Sequence, residues 1–172
     1  YVTIAGGKLD HRDLISLHNL LKKNKTKLIV MYGAAEATAR MSYVPYEFFE
    51  KKLDSIGIAV PGGKLRIASS KSKFGEIIYK GKNVFMGYAK KLKDLSIIEK
   101  NSSELRTGDI GFKDKDGFFY VKGRKDRYIK IYGIRVSLDE IQSILSSNNI
   151  ENICKIKEKN KIQIFLKENI YI

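Results

Sequence analysis

The sequence predicts an α/β protein in three parts: a helix with a buried strand, a small antiparallel β-sheet or barrel, and a small α+β segment at the C-terminal end. Three observations carry this. Apolar residues at helical spacing give way at Leu28 to a short continuous apolar run. Across residues 55–122 short β-like runs are separated by glycines. After a charged linker, Ser137 with Glu140 three residues on forms a capping box ahead of a second amphipathic stretch.

The first helix opens at Asp10, whose carboxylate suits an N-cap. It carries Leu14, Leu17, Leu20 and Leu21 on its apolar spacing and closes at Lys22-Lys23, where cations complement the helix dipole. Leu28-Ile29-Val30-Met31 then reads as a buried strand ending in the loop Tyr32-Gly33, and the C-terminal edge of such a strand is where α/β sheets bind ligands. In the glycine-punctuated region, residues 64–68, 75–80 and 117–121 read as strands, with a turn at Asp114-Lys115-Asp116-Gly117 and a short helix over 92–100. Gly123-Arg124-Lys125-Asp126-Arg127 has no bulky apolar residue and reads as a linker between domains. Beyond it, residues 128–131 and 134–137 flank Gly133. A helix bearing Leu138, Ile141, Ile144 and Leu145 follows, then a hairpin of 153–156 and 162–166 around Glu158-Lys159-Asn160.

Composition sets limits on function. With 172 residues, 43% of them apolar and two prolines, the chain can bury a core, about 70% of its unfolded surface at this size, which excludes disordered, collagen-like and low-complexity readings. No apolar run approaches the ~18 residues of a membrane span, and no basic flank with an apolar stretch marks a signal peptide. One cysteine, Cys154, excludes an internal disulfide framework and a Cys-based zinc site, so a cytoplasmic location is the default expectation. Cys154 itself reads as a small buried apolar residue. The 33 Lys+Arg against 19 Asp+Glu give a net charge of +14. Only seven of those cations are Arg, the better fork for phosphates and bases, and the lysines scatter from Lys8 to Lys167. The excess reads as a solvated face, and nucleic acid is not the expected partner. His11 and His18, seven apart on the first helix with no acidic or Cys pattern around them, read as surface histidines.

Four motifs in order resemble the adenylate-forming (AMP-binding) superfamily of acyl-CoA synthetases, luciferases and peptide-synthetase adenylation domains. Met31-Tyr32-Gly33-Ala34-Ala35-Glu36 is similar to its Tyr-Gly-x-Thr-Glu loop, and Gly75-Glu76-Ile77 through Gly81 and Gly87-Tyr88 to the β motif that follows. Arg106-Thr107-Gly108-Asp109 is similar to its Arg-Thr-Gly-Asp, and Gly123-Arg124-Lys125-Asp126 through Lys130, Gly133 and Arg135 to its hinge motif. The resemblance implies the late part of a large AMP-binding domain over 1–123, with a β-rich subdomain over about 55–122, a hinge at 124–127 and a partial small domain over 128–172. The first helix and strand would form the edge of a larger parallel α/β layer, with apolar edges exposed in consequence.

By the same resemblance the chemistry is acyl adenylation: carboxylate and ATP to acyl-AMP and pyrophosphate, then transfer to CoA or a carrier-protein phosphopantetheine thiol. Tyr32, followed by Gly33, would stack on adenine, with Gly6, Gly7 and Lys8 along the base's other edge and Val121 a weaker contact. Asp109 would accept hydrogen bonds from the ribose hydroxyls, a task suited to two acceptor oxygens. Glu36 would hold Mg²⁺, which favours hard oxygen ligands, and Arg124 would pair with phosphate or ribose oxygens. Asp126 matches the hinge position, and Glu36, Arg124 and Asp126 form the expected catalytic set. The residues after Glu36, through Tyr43, look more like those of acyl-CoA ligases than of amino-acid activators.

The chain departs from the family in three places. Ala35 stands where the loop usually carries Thr, removing one hydrogen bond to a charged group, about 1.5–3 kcal/mol. The Gly-rich phosphate loop expected upstream and the lysine expected near the family's C-terminus are both absent, so the chain resembles a middle-to-late fragment that is not active alone and needs the parent's missing segments as partners. The alternatives are a fragment of an amino-acid-activating adenylation domain, or a non-catalytic basic remnant that contacts polyanions.

Overall fold

A computed structural model describes residues 1–7, 9–68, 73–96, 103–132, 134–158 and 161–167. Lys8, Gly133, residues 97–100 of the expected short helix and the Lys159-Asn160 turn lie outside the described residues. The fold is mixed α/β with several small sheets, as read from the sequence. It divides into two compact units: Tyr1–Thr107 with Gly111–Val121, and Gly108–Ile110 with Lys122–Ile172.

In the first unit, β1 (Val2–Ile4) runs parallel to β2 (Leu28–Tyr32), with Val2 opposite Leu28 and Ile4 opposite Val30. Between them lies α1 (His11–Lys23), capped at Asp10, whose side chain accepts from the Arg12 amide at 2.9 Å. Leu14 of α1, Leu28 of β2 and Phe49 make one buried core, flanked by Ile4, Leu17, Leu21 and Leu53. The sheet continues antiparallel through β3 (Ser42–Tyr43) and β4 (Ile58–Ala59). None of β1, β3 and β4 was expected, since a run of two or three residues is too short to carry an alternation.

A second sheet has the order β5 (Lys64–Ala68), β6 (Gly75–Lys80), β7 (Glu104–Lys113) and β8 (Phe119–Arg124). β5 and β6 have the expected bounds and pair antiparallel from Lys64–Lys80 to Ala68–Glu76. In the turn before β8, the Asp114 carboxylate accepts from the Asp116 and Phe118 amides at 3.0 and 2.9 Å. Lys52 adds ion pairs to Asp114 and Asp116 at 2.7 and 2.6 Å. A second core of Ala37, Met41 and Tyr79 lies in this unit. Of the expected short helix, a 3-10 segment over Leu92–Ser96 is described.

In the second unit, β9 (Tyr128–Ile131) and β10 (Ile134–Ser137) pair antiparallel, and α2 (Leu138–Ser147) follows directly. The capping box forms: the Ser137 hydroxyl accepts from the Glu140 amide at 3.3 Å. β11 (Asn152–Glu158) and β12 (Lys161–Leu166) form the expected hairpin. Ile129, Leu138 and Cys154 are its core, with Val136, Ile141 and Ile162 against them. Cys154 is buried as expected, and burial pushes its thiol pKa up.

One reading needs correction. His18 is not a surface histidine: it is 4% exposed and stacks on Phe49 at 4.1 Å between ring centroids. It shares the face of Leu14 and Leu21, a pattern of i, i+4 and i+7 that includes position 18. In the segment read as a linker, Gly123 and Arg124 end β8 and Lys125–Arg127 form a 3-10 turn. The segment's lack of bulky residues has a steric cause at Gly123, where a Cβ would lie 2.6 Å from the Asp139 carboxylate.

Candidate functional site

The expected site residues fall into two clusters, one in each unit. In the first, the chain leaves β2 at Tyr32-Gly33 and turns through a 3-10 segment, Ala35–Ala37, that presents Glu36. The loop folds back on itself: the Met41 amide donates to the Tyr32 carbonyl at 2.9 Å and the Ala39 amide to the Ala34 carbonyl at 3.0 Å. Gly33 is where this return is tightest, because a Cβ there would sit 2.3 Å from the Ala39 carbonyl oxygen. Tyr32 is half-buried against the core of Ala37, Met41 and Tyr79. Thr38 and Ala39 hold φ of 47° and 66°, a left-handed conformation that L residues adopt at a cost of about 1–2 kcal/mol each.

Glu36 is half-buried, and its carboxylate accepts from the Tyr88 hydroxyl. That bond raises the Tyr88 pKa, because ionising the phenol would set two anions against each other. The Glu36 carbonyl accepts from the Phe85 amide at 2.7 Å. Asn83 donates from its side-chain amide to the Ala37 and Arg40 carbonyls at 2.7 and 3.0 Å.

In the second cluster, Asp109 is 8% exposed and accepts from Arg124 at 3.1 Å. The strand adjoining Asp109 makes room for this pair, since Gly108 has φ of 74° and a Cβ there would come 3.3 Å from the Arg124 guanidinium. Asp126 is exposed, its carboxylate 3.9 Å from the Arg124 Nε. Asp139, in the first turn of α2, accepts from the Arg124 backbone amide at 3.1 Å and from the Arg127 guanidinium, which also donates to Gln142. A carboxylate at a helix N-terminus is favoured by the helix dipole, so Asp139 ties residues 124–127 to α2.

Of the expected site residues, then, Asp109, Arg124 and Asp126 stand together, and Tyr32, Gly33 and Glu36 share one loop. Gly6 and Gly7 follow β1, exposed and with open space at both Cβ positions. Val121 lies half-buried in β8, and Lys8 is outside the described residues. The sequence reading did not single out Asn83, Tyr88 or Asp139 as site residues. Tyr88 lies at the end of the β motif that resembles the family's, which is the available signal; Asp139 lies outside the motifs and carries none. A shallow groove of about 270 Å³ beside α1, lined by His18, Lys22, Tyr46, Glu47, Glu50 and Lys51, contains none of the expected residues.

This order of elements and motifs places the chain in the adenylate-forming superfamily, as a homologue of its acyl-CoA ligases. A probable 4-coumarate–CoA ligase 2 of Dictyostelium discoideum is 31% identical over 142 residues, 77% of this chain and 25% of that protein. A 2-succinylbenzoate–CoA ligase of Bacillus licheniformis is 28% identical over 139 residues, 78% of this chain and 29% of that protein. Unliganded O-succinylbenzoate coenzyme A synthetase of Bacillus subtilis has the same fold, with a TM-score of 0.73 and 24% identity over 98% of this chain and 38% of that one. No protein-family model matches. The chain spans about a quarter of the length of the curated relatives it matches. No helix among the described residues is long and apolar enough to cross a membrane.

Proposed function

We propose that this chain carries the adenosine-phosphate side of an ATP-dependent acyl-adenylating ligase. In the reaction, a substrate carboxylate oxygen attacks the α-phosphorus of ATP and pyrophosphate leaves with the bonding electrons. A thiolate of CoA or a carrier protein then attacks the acyl carbon and AMP departs. The observation that carries the reading is the buried Asp109 carboxylate held by Arg124, in a chain homologous to CoA ligases. The B. subtilis synthetase of the same fold has been solved with ATP and magnesium ion, and with its acyl-adenylate intermediate.

Asp109 has the lone pairs to accept ribose hydroxyls while keeping Arg124, and Arg124, half-exposed, supplies a cation for phosphate or ribose oxygens. Tyr32 offers a ring for adenine, and Gly6 and Gly7 line the base's other edge. Among the described residues no three His, Cys, Asp or Glu converge on a cation. Magnesium fits regardless, since it needs only one or two protein carboxylates when phosphates and water complete its shell, and Glu36 provides one. When bound, the ion neutralises phosphate charge as pyrophosphate leaves. Residues 124–127, with Asp126 in the turn, are the hinge in this reading, a carrier protein is a candidate thiol donor, and the location is cytoplasmic.

The test is carboxylate-dependent exchange of labelled pyrophosphate into ATP by the full-length polypeptide that contains these residues. Exchange that falls at least a hundredfold in Asp109→Ala supports the reading. Polyanion binding that is indifferent to Asp109 and steeply weakened by salt, with no exchange, would mark a basic remnant instead.

A further inference from the structure

We propose that Tyr88 and Asn83 are positioning residues that hold the Glu36 carboxylate for the magnesium–nucleotide, an inference that rests on the ligase reading above. The segment from Gly81 to Tyr88 grips the Glu36 turn at four acceptor atoms. Asn83 takes the Ala37 and Arg40 carbonyls, the Phe85 amide takes the Glu36 carbonyl, and the Tyr88 hydroxyl takes the Glu36 carboxylate. The two carbonyls bound by Asn83 bracket Thr38 and Ala39, the left-handed pair. Such a backbone persists only where its surroundings over-determine it, and Asn83 is placed to do that.

Asn83 is itself oriented from below. Its side-chain oxygen accepts from the hydroxyl of Tyr79 at 2.8 Å, and Tyr79 is fully buried. Space for that hydroxyl comes from Gly63 and Gly81, where a Cβ would lie 2.5 Å from it. Tyr88 makes the opposite case. Its side chain is 70% exposed, braced edge-on by Phe85 at 4.8 Å, so little core packing depends on the ring and the hydroxyl is what the position uses. Donors that orient a metal-ligating carboxylate typically account for 10–100-fold in metal affinity.

The test uses Mn²⁺ in place of Mg²⁺, its binding read by electron paramagnetic resonance with a non-hydrolysable ATP analogue on the full-length polypeptide. Tyr88→Phe is expected to weaken Mn²⁺ about tenfold while leaving the melting temperature and metal-free nucleotide affinity in place. Asn83→Ala should weaken Mn²⁺ and lower stability together. If Glu36→Gln weakens Mn²⁺ but Tyr88→Phe stays within twofold of the parent, the positioning role is wrong and the metal reading stands. If Glu36→Gln leaves Mn²⁺ binding unchanged, the metal reading falls and the positioning role with it.

Discussion

A double-mutant cycle on Tyr79 and Asn83 tests the strut beneath the Glu36 loop. Tyr79→Phe removes one hydroxyl whose hydrogen bond to Asn83 is 2.8 Å long and part-buried, at a cost of about 1 kcal/mol. Asn83→Ala removes that bond and both bonds to the Ala37 and Arg40 carbonyls, about 3 kcal/mol at roughly 1 kcal/mol each. The double variant loses the shared bond only once, so it should fall about 1 kcal/mol short of the sum. Urea denaturation followed by circular dichroism reads all four corners; the slope with denaturant should stay constant, since neither change alters much exposed surface. Losses that add to within about 0.3 kcal/mol would mean that the hydroxyl and the amide do not interact and that no such strut exists.

Three further outcomes follow from the packing. His18→Phe should change stability by no more than about 1 kcal/mol, measured by thermal melting, because the ring already stacks on Phe49, Nδ1 is buried without a hydrogen-bond partner among the described residues, and Nε2 faces only the exposed Glu50 carboxylate at 3.4 Å. For Asp114, burial pushes the pKa up, but the Lys52 ammonium and the Phe118 and Asp116 amides outweigh it and hold the carboxyl below its ordinary 3.8. Its stabilising contribution is therefore fully present above that value and lost as pH falls through the lower folded one. The stability gap between parent and Asp114→Asn should be flat above about pH 5 and shrink in acid. Cys154, 0% exposed with its pKa raised by burial, should react with iodoacetamide only on unfolding; rapid alkylation of the native chain would contradict its place in the core.

Much of the secondary structure was legible because its signals are local. α1 announced itself by the Asp10 cap and the spacing of Leu14, Leu17 and Leu21; β5, β6, β9 and β10 by short apolar runs between glycines or turns. β7 was not read as a strand, because Gly108, Asp109 and Gly111 interrupt its apolar alternation. Gly111 is nonetheless required there, since a Cβ would meet the Tyr120 carbonyl at 2.1 Å. At the site, the meeting of Asp109 with Arg124 was implied by motif order, whereas the bond from Tyr88 to Glu36 joins residues 52 apart and depends on tertiary packing that no local pattern encodes. The same holds for Asp139, whose capping-region position gave no hint of Arg127 and the Arg124 amide.

The most direct measurement is a crystal structure of the full-length polypeptide with AMP bound. One bound nucleotide is expected, with its ribose hydroxyls donating to Asp109, its phosphate within reach of Arg124, its base beside Tyr32 and the Glu36 carboxylate toward the phosphates. A nucleotide seated away from Asp109, or a Glu36 carboxylate on a surface that shares no cavity with it, would rule out an adenosine-phosphate site built from these residues.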